Sequence, residues 1–281
     1  MDLHENLKGK TVVITGGSGI LCREFAYAYA KQGMNVAVLG RTLSKLEEVR
    51  DKINELGGNG LAVVCDVVDK DSVINAKKVV NDTFGKVDIL VNGAGGNHPK
   101  GTTTKEYFEK GDIENPNVVS FFDLSKENFN YVFDLNIVGT LIPTQVFIVD
   151  MLDNPGANVL NIASMSSYHA ITKVSAYCAA KAAISNFTEW LAVHFSKVGI
   201  RCNAIAPGFF STQQNAKLLF NEDGTPTART GKILNNTPMD RFGEVEELIG
   251  SVLFLACEEA SGFVNGACIP IDGAFAAYSG V

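Results

Sequence analysis

The chain has 281 residues, 46% of them hydrophobic, with 27 glycines and a formal net charge of −7 at pH 7. That length supports a large core without demanding a second domain, and the composition is that of a soluble α/β protein rich in tight turns. Lys and Arg are scattered rather than clustered, which argues against a nucleic-acid partner while leaving room for a local anion site. The polar start, Met1 to Lys10, has no secretory core, and no apolar run reads as a membrane span. Cys22, Cys65, Cys178, Cys202, Cys257 and Cys268 show neither C-x-x-C nor His-cluster spacing. The expectation is therefore free thiols in a cytoplasmic protein with no metal site.

Val12-Val13-Ile14 is a β-branched run that breaks into Thr15-Gly16-Gly17-Ser18-Gly19-Ile20-Leu21, followed by a helical pattern through Phe25, Ala26, Tyr29 and Ala30. Strand, glycine turn, helix is the opening of a nucleotide-binding βαβ unit, in which backbone N–H groups at a helix start receive a pyrophosphate. A glycine turn alone also serves as a mere tight connection. The next strand, Asn35 to Leu39, ends in Gly40-Arg41-Thr42 before a charged helix, Leu43 to Leu56. An acidic residue at this strand end would bind the ribose hydroxyls of NAD; Arg41 stands there instead and suits a 2′-phosphate, so NADP(H) is favoured and NAD(H) is the alternative.

A third strand, Leu61 to Cys65, closes on Asp66-Val67, and a helix spans Lys70 to Phe84. A fourth strand, Val87 to Val91, runs into Asn92-Gly93-Ala94-Gly95-Gly96-Asn97. This alternation with apolar strands predicts a parallel sheet covered by helices on both faces, with ligands beyond the strand C-termini. Residues 98–124 break the rhythm at that rim and read as a lid. Helical patterning covers Lys126 to Met151, a strand covers Asn158 to Ala163, and a long helix containing Tyr177 reaches about Lys197, with an apolar stripe of Ile184, Phe187, Leu191 and Phe195. Another strand, Ile200 to Ile205, leads to Pro207-Gly208 and a polar stretch, 209–240. A helix over Glu244 to Cys257 and a last strand, Ala267 to Ile271, complete the pattern.

Tyr177 and Lys181 sit one helical turn apart, where an ammonium beside a phenol favours phenolate. A free phenol has a pKa of about 10, and lowering it by roughly 3 units takes about 4 kcal/mol, which Lys181 and a positive nicotinamide ring would supply together. Tyr27 and Lys31 repeat the spacing, so the motif needs context. Thirteen residues before Tyr177 lies Ser164 at a strand end, whereas the same step back from Tyr27 reaches Ile14. Tyr27 and Lys31 are therefore read as ordinary first-helix residues.

Taken together, the glycine turn, Asp66, Asn92-Gly93-Ala94-Gly95, Asn136, Ser164, Tyr177, Lys181 and Pro207-Gly208, in this order, resemble the short-chain dehydrogenase/reductase family over nearly the whole chain. Thr15 to Leu21, Asn92 to Pro99, Ala206 to Phe210 and the ending Ala277 to Val281 are similar to its D-mannonate oxidoreductase, or fructuronate reductase, subgroup. Two departures stand out: Leu21 and Cys22 occupy the region of the family's last turn glycine, and Gly93 replaces the second residue of the common Asn-Asn-Ala-Gly.

The resemblance implies one Rossmann-type doubly wound domain over 1–281, with a mostly parallel seven-stranded sheet. It also implies hydride exchange between a nicotinamide and a carbonyl or secondary alcohol. Tyr177 would be the acid or base, Lys181 would also hold the nicotinamide ribose, Ser164 would bond the reacting oxygen, and Asn136 would support a proton path to Lys181. Gly16, Ser18, Gly19, Ile20, Arg41, Asp66, Val67, Asn92, Gly93, Ala94, Pro207, Gly208 and Thr212 would complete the cofactor site, Asp66 serving the adenine or merely its own turn. His98, Ser166, Gln213 and Asn215 are candidates for substrate. A sugar-acid carboxylate needs a cation or N–H partner, and the sequence does not rank Lys100, Lys173, Arg229 and Lys232. D-Fructuronate/D-mannonate is the expected pair. Another sugar, polyol, gluconate or 3-oxoacyl substrate remains an alternative, as does a non-catalytic nucleotide-binding relative. A homotetramer is expected from the family's habit.

Overall fold

In the computed structural model, described here for residues 5–211, 219, 221 and 223–280, seven strands form one sheet. They are β1 (Thr11–Thr15), β2 (Asn35–Gly40), β3 (Asn59–Val64), β4 (Ile89–Asn92), β5 (Asn158–Ile162), β6 (Arg201–Pro207) and β7 (Cys268–Ile271). Their order is β3-β2-β1-β4-β5-β6-β7, and every pairing is parallel. The sheet is thus wholly rather than mostly parallel. Thr15 is in register with both Leu39 and Asn92, and Asn92 with Asn161, so these strand C-termini share a rim on either side of the switch point between β1 and β4. A cleft opens there in doubly wound sheets.

Period-two alternation divides the core into two layers. Val12, Ile14, Val36 and Val38 face α1 (Ile20–Lys31) and α2 (Leu43–Glu55), whereas Val13, Ala37 and Leu39 face the opposite side, with α3 (Lys70–Phe84). Burying a side chain such as Phe25 contributes about 1.5–3 kcal/mol, and Phe25 and Tyr29 of α1 are fully buried. Helix α3 starts where expected, and Asp69 caps it, accepting from the N–H groups of Asp71 at 3.0 Å and Ser72 at 3.3 Å.

The helix expected over 126–151 is not continuous. It is α4 (Lys126–Phe133), a π turn over Asp134–Val138, α5 (Gly139–Phe147) and a 3-10 turn. The interruption has an identifiable cause: the Asn136 side-chain amide donates to the Val132 carbonyl at 2.7 Å, competing with the backbone ladder for that acceptor. By length and composition this segment is long and apolar enough to cross a membrane, which corrects the reading that no run is. Here its apolar side chains pack under the sheet, with Val132, Phe147 and Met151 fully buried.

The long helix α6 (Ser175–Phe195) follows β5. Its stripe of Ile184, Phe187, Leu191 and Phe195 belongs to the core rather than to an open face; the outward side bears Trp190 and Val193. Within 209–240 the structure adds a helix that the sequence reading left as a polar stretch, α7 (Ala228–Asn235). Thr227 caps it by accepting from Thr230 N–H at 3.3 Å, but only Thr230 and Ile233 are buried, too few to show a helical period. The 98–124 segment is three short 3-10 turns with its own hydrogen bonds, including Thr104 N–H to Val119 at 2.9 Å.

Candidate active site

The turn after β1 is shaped by close approach. Gly16 has φ +64°, and a β-carbon there would meet Ala94 Cα at 2.9 Å, so only glycine lets the β1 and β4 loops touch. Helix α1 then starts at Ile20 with Gly19 as N-cap, no side-chain cap and no carboxylate in its first turn. Its first N–H groups and positive dipole end are left for an anion. The two departures from the family pattern have one explanation: a β-carbon on Gly93 would run into the Cys22 sulfur. Cysteine at 22 fills the space that a side chain at 93 would take. Burial pushes the Cys22 thiol up to about 12, making it a packing group rather than a nucleophile.

A cleft of about 770 Å³ runs from this turn past β2 and β3, lined by Gly16, Ser18, Gly19, Ile20, Arg41, Asp66, Val67, Gly93 and Ala94. Arg23, Tyr27 and Lys45 line it too; the sequence reading assigned them no role. Arg23 and Lys45 lie one turn into α1 and α2, on sides that only the packing reveals. Tyr27, which repeats the tyrosine–lysine spacing, is a wall residue. Asp66 lines the cleft and also accepts from Val68 N–H at 3.2 Å, as a turn aspartate does. Asn92 is different: its side chain is buried, donating to Thr144 and Asn161 at 2.9 Å each, so it braces the β4–β5 rim from below.

The cleft continues into a second compartment of about 330 Å³ that gathers Ser164, Tyr177, Lys181, Pro207 and Gly208. Ser164, two residues past β5, is still extended and caps the next turn, accepting from Ser166 N–H at 3.2 Å. That turn buries Ser166, which does not line the compartment as the substrate reading required. Tyr177 lies one turn from Lys181 on α6, with the Lys181 Nζ 5.7 Å from the ring centroid. Lys181 is buried and donates to the Ile162 carbonyl at 2.8 Å. Burial lowers its pKa to about 8.

The electrostatics of Tyr177 differ from the expectation drawn from its spacing to Lys181. Burial raises the phenol above its ordinary value, and a hydrogen bond with Ser164 opposes that shift. Lys181 is held towards Gly95 and Asn136, since a β-carbon on Gly95 would lie 3.1 Å from its Nζ and 2.8 Å from Asn136 Oδ1. In the protein alone the phenol is therefore a proton donor. Asn136 is fully buried; besides Val132 it bonds Gly96 in both directions, donating to its carbonyl at 2.8 Å and accepting from its N–H at 3.2 Å. It thus anchors the β4 loop beside Lys181. The missing side chain at Gly95, the uncapped α1 start and the continuous channel fit a dinucleotide lying along the rim with one end beside Tyr177.

His98 is not at this wall. Its ring packs on Tyr131 at 4.8 Å, and its Nδ1 accepts from Lys100 N–H at 3.3 Å, a turn-capping role. Thr212, Gln213 and Asn215 lie outside the described residues.

The short chain dehydrogenase family pattern matches residues 10–223. An uncharacterised oxidoreductase of Bacillus subtilis, UxuB, is 51% identical over 280 residues, covering 99% of each chain. A Haemophilus influenzae crystal structure, provisionally assigned as a D-mannonate oxidoreductase and containing bound NAD, superposes with a TM-score of 0.95 at 49% identity, covering 100% of both chains. A provisionally assigned 2-deoxy-D-gluconate 3-dehydrogenase from Agrobacterium tumefaciens, with bound NADP, superposes at 0.80 with 28% identity, covering 99% of this chain and 100% of that one. With its Ser164, Tyr177 and Lys181 gathered at the end of a dinucleotide cleft, the chain belongs to the short-chain dehydrogenase family and is a nicotinamide-dependent oxidoreductase.

Proposed function

We propose that the protein interconverts D-fructuronate and D-mannonate, with NADP(H) preferred over NAD(H). The observation that carries the substrate reading is the full-length correspondence with the Haemophilus protein assigned to that activity. When bound, the nicotinamide supplies or accepts the hydride. The chain's own residues manage the proton and the geometry. Tyr177 Oη gives its proton to the carbonyl oxygen in reduction and recovers it in oxidation, general acid–base catalysis on one atom. The Ser164 hydroxyl, in the same compartment as that phenol, holds the substrate oxygen against it. Lys181, fixed by Ile162, steadies the cofactor ribose, and Asn136 holds the loop on which Gly95 leaves space for it. A comparison of kcat/KM for D-fructuronate with that for D-fructose tests the substrate class. A clear preference for the acid is expected, and a preference for the uncharged ketose refutes it.

The cofactor preference is supported by Arg41 and Lys45, which line the channel just past the end of β2 at Gly40, with Arg23, itself paired to Glu24 at 3.4 Å, and Glu48 further along the same wall. The NAD of the Haemophilus structure belongs to a relative and needs no 2′-phosphate partner. A charge-assisted hydrogen bond contributes about 1.5–3 kcal/mol. Arg41→Asp should therefore lower the NADPH-to-NADH ratio of kcat/KM by roughly tenfold to a hundredfold; an unchanged ratio removes Arg41 from this role.

The reading extends to a homotetramer. The exposed Trp190 and Val193 on α6, together with the fully exposed Phe263, offer apolar surface for subunit contact. Sedimentation should give about four times the 30.1 kDa chain mass, and a monomer contradicts this.

A further inference from the structure

A run of buried polar side chains lies between the sheet and the helices α5 and α6. Asn136 of the π turn, Thr140 and Thr144 of α5, Asn92 of β4, Asn161 of β5 and Thr188 of α6 are each no more than 2% exposed. Thr140 Oγ1 donates to the Asn136 carbonyl at 2.8 Å, Thr144 Oγ1 to the Thr140 carbonyl at 2.7 Å and Thr188 Oγ1 to the Ile184 carbonyl at 2.8 Å. A carbonyl only accepts and a hydroxyl has one hydrogen, so Thr144 and Thr188 enter any further bond as acceptors. Amides supply the donors. Asn92 Nδ2 reaches both Thr144 Oγ1 and Asn161 Oδ1, and Asn161 Nδ2 reaches Thr188 Oγ1, each at 2.9 Å.

Both ends of this run meet the catalytic compartment's supports. One end is the peptide of Asn136, whose side chain holds Gly96. The other is α6, which carries Tyr177 and Lys181. Asn161 is followed by Ile162, whose carbonyl accepts from Lys181 Nζ at 2.8 Å, and the Ser167 hydroxyl donates to the Lys181 carbonyl at 2.7 Å. Helix α6 is thus tied to β5 and its exit by directional bonds, amid apolar packing of Ile184 with Ala163 and Ala204. Apolar packing specifies volume more strictly than register, whereas a satisfied buried polar network fixes one arrangement. Asparagine is also disfavoured inside strands, yet Asn92 and Asn161 stand in register on two central ones.

We propose that Asn161 and Thr188 are positioning residues of the reaction. Their bond sets how far α6 advances along β5, and with it the spacing of Tyr177 and Lys181 from Ser164. Neither side chain lines the compartment, so they act through the helix alone. The proposal rests on the acid–base reading of Ser164, Tyr177 and Lys181 and is independent of which substrate is reduced.

Thr188→Val, Thr188→Cys and Thr188→Ser test it, with Tyr177→Phe for reference and the faster-reduced of D-fructuronate and D-fructose as substrate. Fluorescence titration with NADPH counts the intact sites, so kcat is expressed per site that binds cofactor. Valine keeps the shape of threonine and removes the acceptor; kcat should fall about tenfold to a hundredfold, as for displacements of up to about 1 Å, with KM for the nicotinamide within about twofold. The pH at which kcat is half-maximal should move as well, because the ammonium and the phenol change their spacing. Serine retains the hydroxyl and should restore kcat to within about threefold of wild type, whatever its melting temperature. Cysteine, close in volume but a weak acceptor, should fall between the two and carries the test if the valine variant does not fold. Wild-type kcat per site and pH profile in Thr188→Val, or in Thr188→Cys where valine does not fold, overturns the proposal, since the bond would then only fasten the fold. A serine variant no better than valine overturns it too. Undiminished turnover in Tyr177→Phe refutes the acid–base reading itself, and the positioning role with it.

Discussion

Tyr177→Phe is expected to lower kcat about a thousandfold while leaving nicotinamide affinity within about twofold. The substitution removes one oxygen, the atom that gives and takes the substrate proton. General acid–base groups contribute typically 10²–10⁴-fold. The supports of the cofactor end do not depend on that oxygen. Lys181 is fixed by the Ile162 carbonyl at 2.8 Å, and Asn136 by Gly96 and Val132. Initial rates and a fluorescence titration with NADPH and NADH measure the two quantities. Parallel loss of turnover and affinity contradicts the assignment, because it would make Tyr177 a scaffold residue.

The second large effect is expected from a single methyl group. In Gly95→Ala the new β-carbon would lie 2.8 Å from Asn136 Oδ1 and 3.1 Å from Lys181 Nζ. Neither neighbour retreats freely, since each is buried and hydrogen-bonded. Moving Asn136 also disturbs the π turn, whose Val132 carbonyl it holds. Overpacking costs typically about 1–3 kcal/mol in stability. The loss in kcat/KM should be larger, about a hundredfold, because displacement of catalytic groups by even 1 Å costs that much. Gly111→Ala is the control: a β-carbon there meets nothing within 4 Å, and neither activity nor melting temperature should change. Wild-type kinetics in Gly95→Ala would show that the Lys181–Asn136 arrangement is not needed.

Much of this was legible in the sequence where one physical signal dominated. The helix over Lys70 to Phe84 and the apolar runs of all seven strands were placed to within a few residues, and the thirteen-residue step from Ser164 distinguished Tyr177 from Tyr27. Two kinds of feature were not. Interruptions caused by one side chain, such as the π turn at Asn136, are invisible to periodicity because the flanking residues still look helical. Roles set by packing between distant segments were hidden as well: the contact of Cys22 with Gly93 joins α1 to the loop after β4, and the meeting of Glu106 with Lys232 spans two segments far apart in the chain. His98 and Ser166 show the opposite error. Polar residues beside a strand end looked available to substrate, but one caps a turn and the other is buried beneath one. In the protein alone burial dominates at Tyr177 and raises its phenol; the lowering expected from Lys181 together with a nicotinamide ring belongs to the loaded site.

The measurement that bears most directly on this account is the stoichiometry of the reaction: reduced nicotinamide consumed per D-fructuronate consumed, with wild-type enzyme and both NADPH and NADH, and product identified by chromatography. One cofactor oxidised for each D-mannonate formed, faster with NADPH, is the predicted result. Absence of carbonyl-dependent nicotinamide oxidation with D-fructuronate, other keto sugar acids and uncharged ketoses, in protein that binds the cofactor, would contradict the assignment of Ser164, Tyr177 and Lys181 as a working catalytic set.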